Sequence, residues 1–122
     1  MGMSYFLDTY ALVEMANGNK EYEKYIEADA VTLKENLAEL FYFLLKKYDE
    51  KTAHFFMQRF SRLAVQLPLE VIPKAMIFRY GHKKTHFSYI DCLGYAYALD
   101  TKRIFLTGDR AFQGLKGVMI ER

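Results

Sequence analysis

Short apolar runs alternate along this chain with longer segments in which apolar residues return at helical spacing. "SYFL" over Ser4–Leu7 predicts a strand, and "TYALVEMA" over 9–16 predicts a helix that follows it directly. "NGN" at 17–19 ends that helix, because Asn and Gly tolerate the left-handed backbone of helix termini. A second short helix is predicted over Lys20–Glu27 and a brief strand around Ala30–Thr32. The strongest helical pattern is "TLKENLAELFYFLLKKY", where Leu33, Leu37, Leu40, Phe41, Leu44, Leu45 and Tyr48 fall on one stripe. Thr32 and Glu35 have capping-box spacing at its start. "DEKTAHFFMQRFSRLA" predicts another helix, with Phe56 and Phe60 on its apolar face.

The second half continues the alternation. A short strand is expected at Val65–Leu67, and Pro68 and Pro73 bracket the start of a helix that breaks near Gly81. Ser88–Leu99 predicts a helix, Arg103–Thr107 a strand, "TGDRAFQGLKG" a glycine-punctuated turn, and Val118–Ile120 a last strand. Strands of a few residues alternating with helices argue for an α/β sandwich with a mainly parallel sheet. With no internal repeat and no long linker, residues 1–122 are expected to form a single domain.

Composition narrows the class. The hydrophobic fraction is 52% with ten Phe, ten Tyr and no Trp, which suits a packed core rather than a disordered chain. No apolar run approaches the ~18 residues of a membrane span, and "MGMSYFLD" lacks the form of a secretory signal. The one cysteine, Cys92, cannot form an internal disulfide, which fits a reducing cytoplasm. Charge is uneven: residues 1–61 carry 7 Lys/Arg against 10 Asp/Glu, whereas residues 62–122 carry 10 against 5. That asymmetry permits a polyanionic partner without requiring one.

Two acids sit where strands are predicted to end. Asp8 follows "SYFL" and Asp109 follows "RIFLTG". Sites in open parallel sheets form at the carboxyl ends of strands, and like charges held together there call for a cation. Asp8 equally suits an N-cap, and Asp109 a turn residue after Gly108. Asp91 either completes a Ser88-x-x-Asp91 capping box or joins the same rim. Glu39 lies off the main apolar stripe, on a helix that is apolar nearly all round, and is either solvated or a fourth member. Divalent Mg²⁺ or Mn²⁺ would be the natural counter-ion for such oxygen donors.

Four blocks, "SYFLDTYALVE", "NLAELFYFLL", "FSYIDCLGYAYAL" and "IFLTGDRAF", together resemble the PIN-domain ribonucleases, above all the toxins of VapBC-type toxin–antitoxin pairs. The resemblance spans essentially the whole chain. It implies a three-layer α/β/α fold around a mainly parallel sheet of four to five short strands. It also implies a metal-dependent endoribonuclease that uses Mg²⁺ or Mn²⁺ and leaves 5′-phosphate and 3′-hydroxyl ends. On this likeness Asp8, Glu39, Asp91 and Asp109 form the acidic quartet that ligates metal, with Glu39 helping to orient water and Thr107 bonding to Asp8 or that water. A further acid that some relatives carry after the fourth is absent, since Arg110-Ala111-Phe112 follows Asp109. The implied partners are RNA, a small antitoxin and a second copy of the chain, with no membrane; the alternative is an inactive RNA- or protein-binding module on the same fold.

Other features have plainer readings. His82 and His86 are four apart in "YGHKKTH", but Gly81 and the charges suggest a surface connection, and zinc would need further ligands. Arg79, Lys83 and Lys84 are solvated side chains that could also meet RNA phosphates, and Tyr10 and Tyr95 are packing residues that could also stack on bases. Phe55 and Met57 point away from the Phe56/Phe60 stripe and could cover a partner.

Overall fold

The computed structural model describes residues 2–121. Strands β1 (Ser4–Leu7), β2 (Asp29–Leu33), β3 (Ala64–Val65), β4 (Ile104–Thr107) and β5 (Val118–Ile120) form one sheet in the order β3-β2-β1-β4-β5. Every pairing is parallel. The helices are α1 (Thr9–Ala16), α2 (Glu23–Ile26), α3 (Lys34–Lys47), α4 (Glu50–Ser61), α5 (Val71–Gly81) and α6 (Tyr89–Asp100). Short 3-10 turns cover Lys20–Tyr22, Lys83–Thr85 and Arg110–Phe112.

The period of two along each strand sends alternate residues to opposite faces. Phe6 pairs with Phe105 and Leu7 with Leu106 in register. The two Phe rings stack 5.7 Å apart on one face, where Tyr95, Phe87 and Phe112 join them beneath α5 and α6. Leu7 and Leu106 meet Leu12, Leu37, Leu40, Leu44 and Phe60 on the other, beneath α1, α3 and α4. Each such side chain, when fully buried, contributes about 1.5–3 kcal/mol. The result is a three-layer α/β/α fold. Helix α6 lies close on its face because Gly94 has no side chain: a Cβ there would stand 2.8 Å from the Phe6 ring.

Residue-level differences from the sequence expectation have local causes. Thr32 does not cap α3. It is a strand residue paired with Ala64, and its hydroxyl donates to the Leu7 carbonyl at 2.8 Å, so Leu33 takes the N-cap position without a side-chain bond. Glu35 therefore closes no capping box. Strand β3 is shorter and earlier than predicted, at Ala64–Val65, and the predicted second helix is a 3-10 turn running into α2. Leu45 and Tyr48 are exposed, because the stripe of α3 faces the sheet only along Leu37, Leu40 and Leu44.

The two ends of the sheet differ in charge. At the amino end, the Arg103 guanidinium donates to the Tyr5 carbonyl at 3.2 Å and pairs with Asp29 at 3.1 Å, tying β1, β2 and β4 together. Ser4 also donates to Asp29 at 2.8 Å, and these two partners hold its carboxyl below the usual range. The carboxyl end gathers acids instead. From the central β1 the chain adds β2 and β3 on one side, then β4 and β5 on the other. The order thus reverses between β1 and β4, the place where open α/β sheets bind ligands.

Candidate active site

Asp8 and Thr107 meet at that reversal. Asp8 is the residue after β1, and its backbone N–H donates to the Leu106 carbonyl at 3.1 Å, which carries the β1–β4 ladder to the edge. Its side chain makes no cap for α1. The buried Thr107 hydroxyl donates to Asp8 Oδ2 at 2.7 Å and accepts from the Asp109 N–H at 3.0 Å. Asp8 Oδ1 is buried without a partner. Burial pushes the Asp8 carboxyl up to about 7; the Thr107 hydroxyl and the Thr9 backbone N–H oppose this, and the charges of Asp91 and Glu39 add to it. A buried carboxylate oxygen with no donor is costly, which is why such an atom in a folded protein asks for a ligand.

Asp91 serves both of its sequence readings. The Ser88–Asp91 capping box is present, each bond 2.9 Å. The same side chain lines a cavity of about 360 Å³ with Asp8 and Asp109. Helix α6 begins at this edge because it must run antiparallel to the strands before β4, so its first turn brings Asp91 to the rim. Burial raises the Asp91 carboxyl, and Asp109 contributes in the same direction against the Ser88 bonds. Asp109 follows β4, and its Oδ1 accepts from the Ala111 N–H at 2.9 Å, so the turn reading also holds. Gly108 before it leaves room for Tyr10, whose Cε1 would lie 2.1 Å from a Cβ at that position.

Glu39 is half-buried rather than solvated. The Thr9 hydroxyl donates to its Oε1 at 2.6 Å, and the Asn36 amide donates to the same hydroxyl at 3.0 Å. Burial raises the Glu39 carboxyl, with Asp91 adding to the rise and Thr9 opposing it. Thr9, not Glu39, forms the cavity wall, which sets Glu39 behind the three aspartates. Thr9 and the fully buried Asn36 were missed by sequence reasoning. The available signal was a polar residue, Asn36, one turn before Glu39 and next to the apolar stripe of α3. Glu14, another wall residue, was also missed.

The remaining candidates have structural work. His82 Nδ1 lies 2.9 Å from the Phe78 carbonyl and its ring stacks on Phe78, while His86 is exposed. Arg79 donates to the Phe87 carbonyl and lies over the Tyr89 ring. Tyr95 is buried and donates to the Lys116 carbonyl, whereas Tyr10 is 43% exposed beside the acidic rim. Among the described residues no three Asp, Glu, His or Cys side chains are already drawn to a common ligating point. The donor set nonetheless suits a hard cation: all oxygen, mutually repelling, with one oxygen of Asp8 left without a partner.

A parallel α/β sheet with carboxylates at its switch point defines the general class. Within it, the PIN-domain family model matches residues 5–118, and the chain belongs to that family. Solved structures of the same fold include VapC20 of Mycobacterium tuberculosis, described as a sarcin–ricin loop cleaving toxin, at TM-score 0.81 and 15% identity, covering 98% of this chain and 100% of that one. VapBC2 of Rickettsia felis, bound to a DNA fragment from its promoter, gives TM-score 0.76 and 16% identity over 98% and 100% of the two chains. A toxin–antitoxin complex from Klebsiella pneumoniae gives TM-score 0.74 and 18% identity over 95% and 96%. No curated protein matches by sequence. Among the described residues no helix is long and apolar enough to cross a membrane.

Proposed function

We propose that this chain is a metal-dependent endoribonuclease acting as the toxin of a VapBC-type pair. The observation that carries the reading is that Asp8, whose Oδ1 is buried without a hydrogen-bond partner, lines one cavity with Asp91 and Asp109. Asp8, Asp91 and Asp109 would hold Mg²⁺ or Mn²⁺, and Glu39 would orient solvent from behind them. When bound, such a cation lowers the pKa of water and stabilises charge on a phosphodiester.

The chain's own residues do the arranging. Thr107 holds Asp8 in one orientation and, through the Asp109 N–H, fixes the start of the turn that carries Asp109. Thr9 holds one oxygen of Glu39 and leaves the other for solvent. The capping box anchors Asp91 by Oδ2 and leaves Oδ1 for the rim. By its likeness to the family, cleavage here would leave 5′-phosphate and 3′-hydroxyl ends.

RNA as substrate implies a cytoplasmic setting, and the fold neighbours that are toxin–antitoxin assemblies support a small antitoxin as the regulating partner. Exposed apolar side chains, including Phe55, Ile77 and Tyr80, supply surface for that partner and for a second copy. The test is incubation of the purified chain with total RNA, with and without Mn²⁺, followed by mapping of the cut ends. Mn²⁺-dependent cuts that vanish in Asp8→Asn are expected. Equal cleavage by both proteins would refute the assignment of the activity to Asp8, and no cleavage by either would leave a binding module on this fold.

A further inference from the structure

One wall of the acidic cavity lies outside the aspartate set. It is built from Tyr10, Val13 and Glu14 of α1 and Phe43 of α3. Tyr10 is exposed and its ring lies against Gly108, so it offers a fixed aromatic face. Phe43 is half-buried, with the Lys47 ammonium 5.7 Å from its ring. Glu14 is half-buried and held in place: the Asn19 amide donates to its Oε1 at 2.6 Å, and Asn19 is itself fixed by accepting from the Glu21 N–H at 2.9 Å.

A held carboxylate on a wall that faces RNA is a liability, since it repels phosphates. It becomes useful only opposite hydrogen-bond donors, because an ionised carboxylate accepts and does not donate. The wall therefore combines two apolar or aromatic surfaces, one carboxylate that keeps acceptor capacity beyond the Asn19 bond to its Oε1, and one neighbouring cation. Single-stranded RNA is read by stacking splayed bases on aromatic side chains and bonding their Watson–Crick edges. Among the four bases only guanine offers two adjacent N–H donors, N1–H and the 2-amino group, to a carboxylate. The cavity also lies within the ~300–1,000 Å³ range of small-ligand pockets, at about 360 Å³. Asp8 lines the same cavity, so a base on this wall would sit beside the phosphate held at the aspartates.

We infer that Tyr10, Phe43 and Glu14 form a base-binding subsite that selects guanine next to the scissile phosphate, with Lys47 meeting a flanking phosphate. This rests on the nuclease reading, and the test separates the two. Oligoribonucleotides that differ only in one nucleotide would be assayed two ways: cleavage with Mn²⁺, and binding with Ca²⁺ in its place. Guanine is expected to exceed uracil by about tenfold or more in both assays, the size of a good bidentate pair. Glu14→Gln should collapse that ratio. Replacing guanine by inosine, which lacks the 2-amino group, should collapse it in the unaltered protein and needs no variant to fold. Cleavage without base preference, or a preference that survives both Glu14→Gln and inosine, overturns the subsite and leaves the nuclease reading standing. Guanine-selective binding without cleavage supports the subsite and overturns the nuclease reading. Absence of both binding and cleavage overturns both.

Discussion

The Thr107 hydroxyl donates to Asp8 Oδ2 at 2.7 Å and accepts from the Asp109 N–H, so one side chain couples the acids that follow β1 and β4. Its removal leaves a buried carboxylate with no side-chain donor. Thr107→Val is expected to cost about 1–3 kcal/mol in urea unfolding at neutral pH. RNA cleavage should fall about 10–100-fold, as for loss of groups that orient metal ligands. Thr107→Ser should restore most of both.

Asp8→Asn removes the charge that burial opposes. In metal-free protein at pH 8 the variant should unfold at a higher temperature than the unaltered chain, while its Mn²⁺-dependent cleavage is lost. A lower melting temperature under those conditions would contradict the burial cost assigned to Asp8.

The sign of the pH dependence follows from the same group. The folded Asp8 carboxyl is raised from 3.8 to about 7, so between these values the folded state binds more protons than the unfolded one. The contribution of Asp8 to stability is fully present below pH ~4 and is lost as pH rises towards ~7. Glu39 and Asp91 are raised as well and act in the same direction. Saturating Mn²⁺ should therefore raise the melting temperature of the protein more at pH 8 than at pH 5, a comparison that scanning calorimetry reads directly.

The Asn36–Thr9–Glu39 line has a built-in polarity. Asn36 donates to Thr9, which leaves the Thr9 proton for Glu39. Thr9→Val should reduce Mn²⁺ affinity or cleavage by roughly tenfold. Asn36→Leu added to Thr9→Val should cost little more in cleavage, because the amide then has no hydroxyl to orient; additive losses in a double-mutant cycle would refute the coupling.

Gly94 tests the packing of α6 on the sheet. A Cβ placed 2.8 Å from Phe6 Cε1 must push apart a buried ring and a helix, so Gly94→Ala should cost about 1–3 kcal/mol by denaturant unfolding.

The alternation of strands and helices was legible because short apolar runs bounded by turn residues alternate with longer segments that hold a helical spacing. Ser4–Leu7 and Val118–Ile120 end where their composition ends. Thr32 misled, since a Thr-x-x-Glu spacing looks the same whether its hydroxyl caps a helix or, as here, crosses to the next strand's carbonyl. The acids at 8, 91 and 109 were readable as strand-end or helix-start residues. Their shared cavity depends on β1 and β4 being neighbours, a long-range pairing that no local pattern encodes. Thr9 and Asn36 matter through contacts 27 and 30 residues apart along the chain, and a single sequence does not display those.

The Arg103 clasp has a consequence for how the molecule tolerates change. Cohesive charges occupy one end of the sheet and quarrelling ones the other, with the length of the strands between them. Alterations among the acids can thus retune chemistry without loosening the anchor, and a damaged anchor gets no relief from the acids.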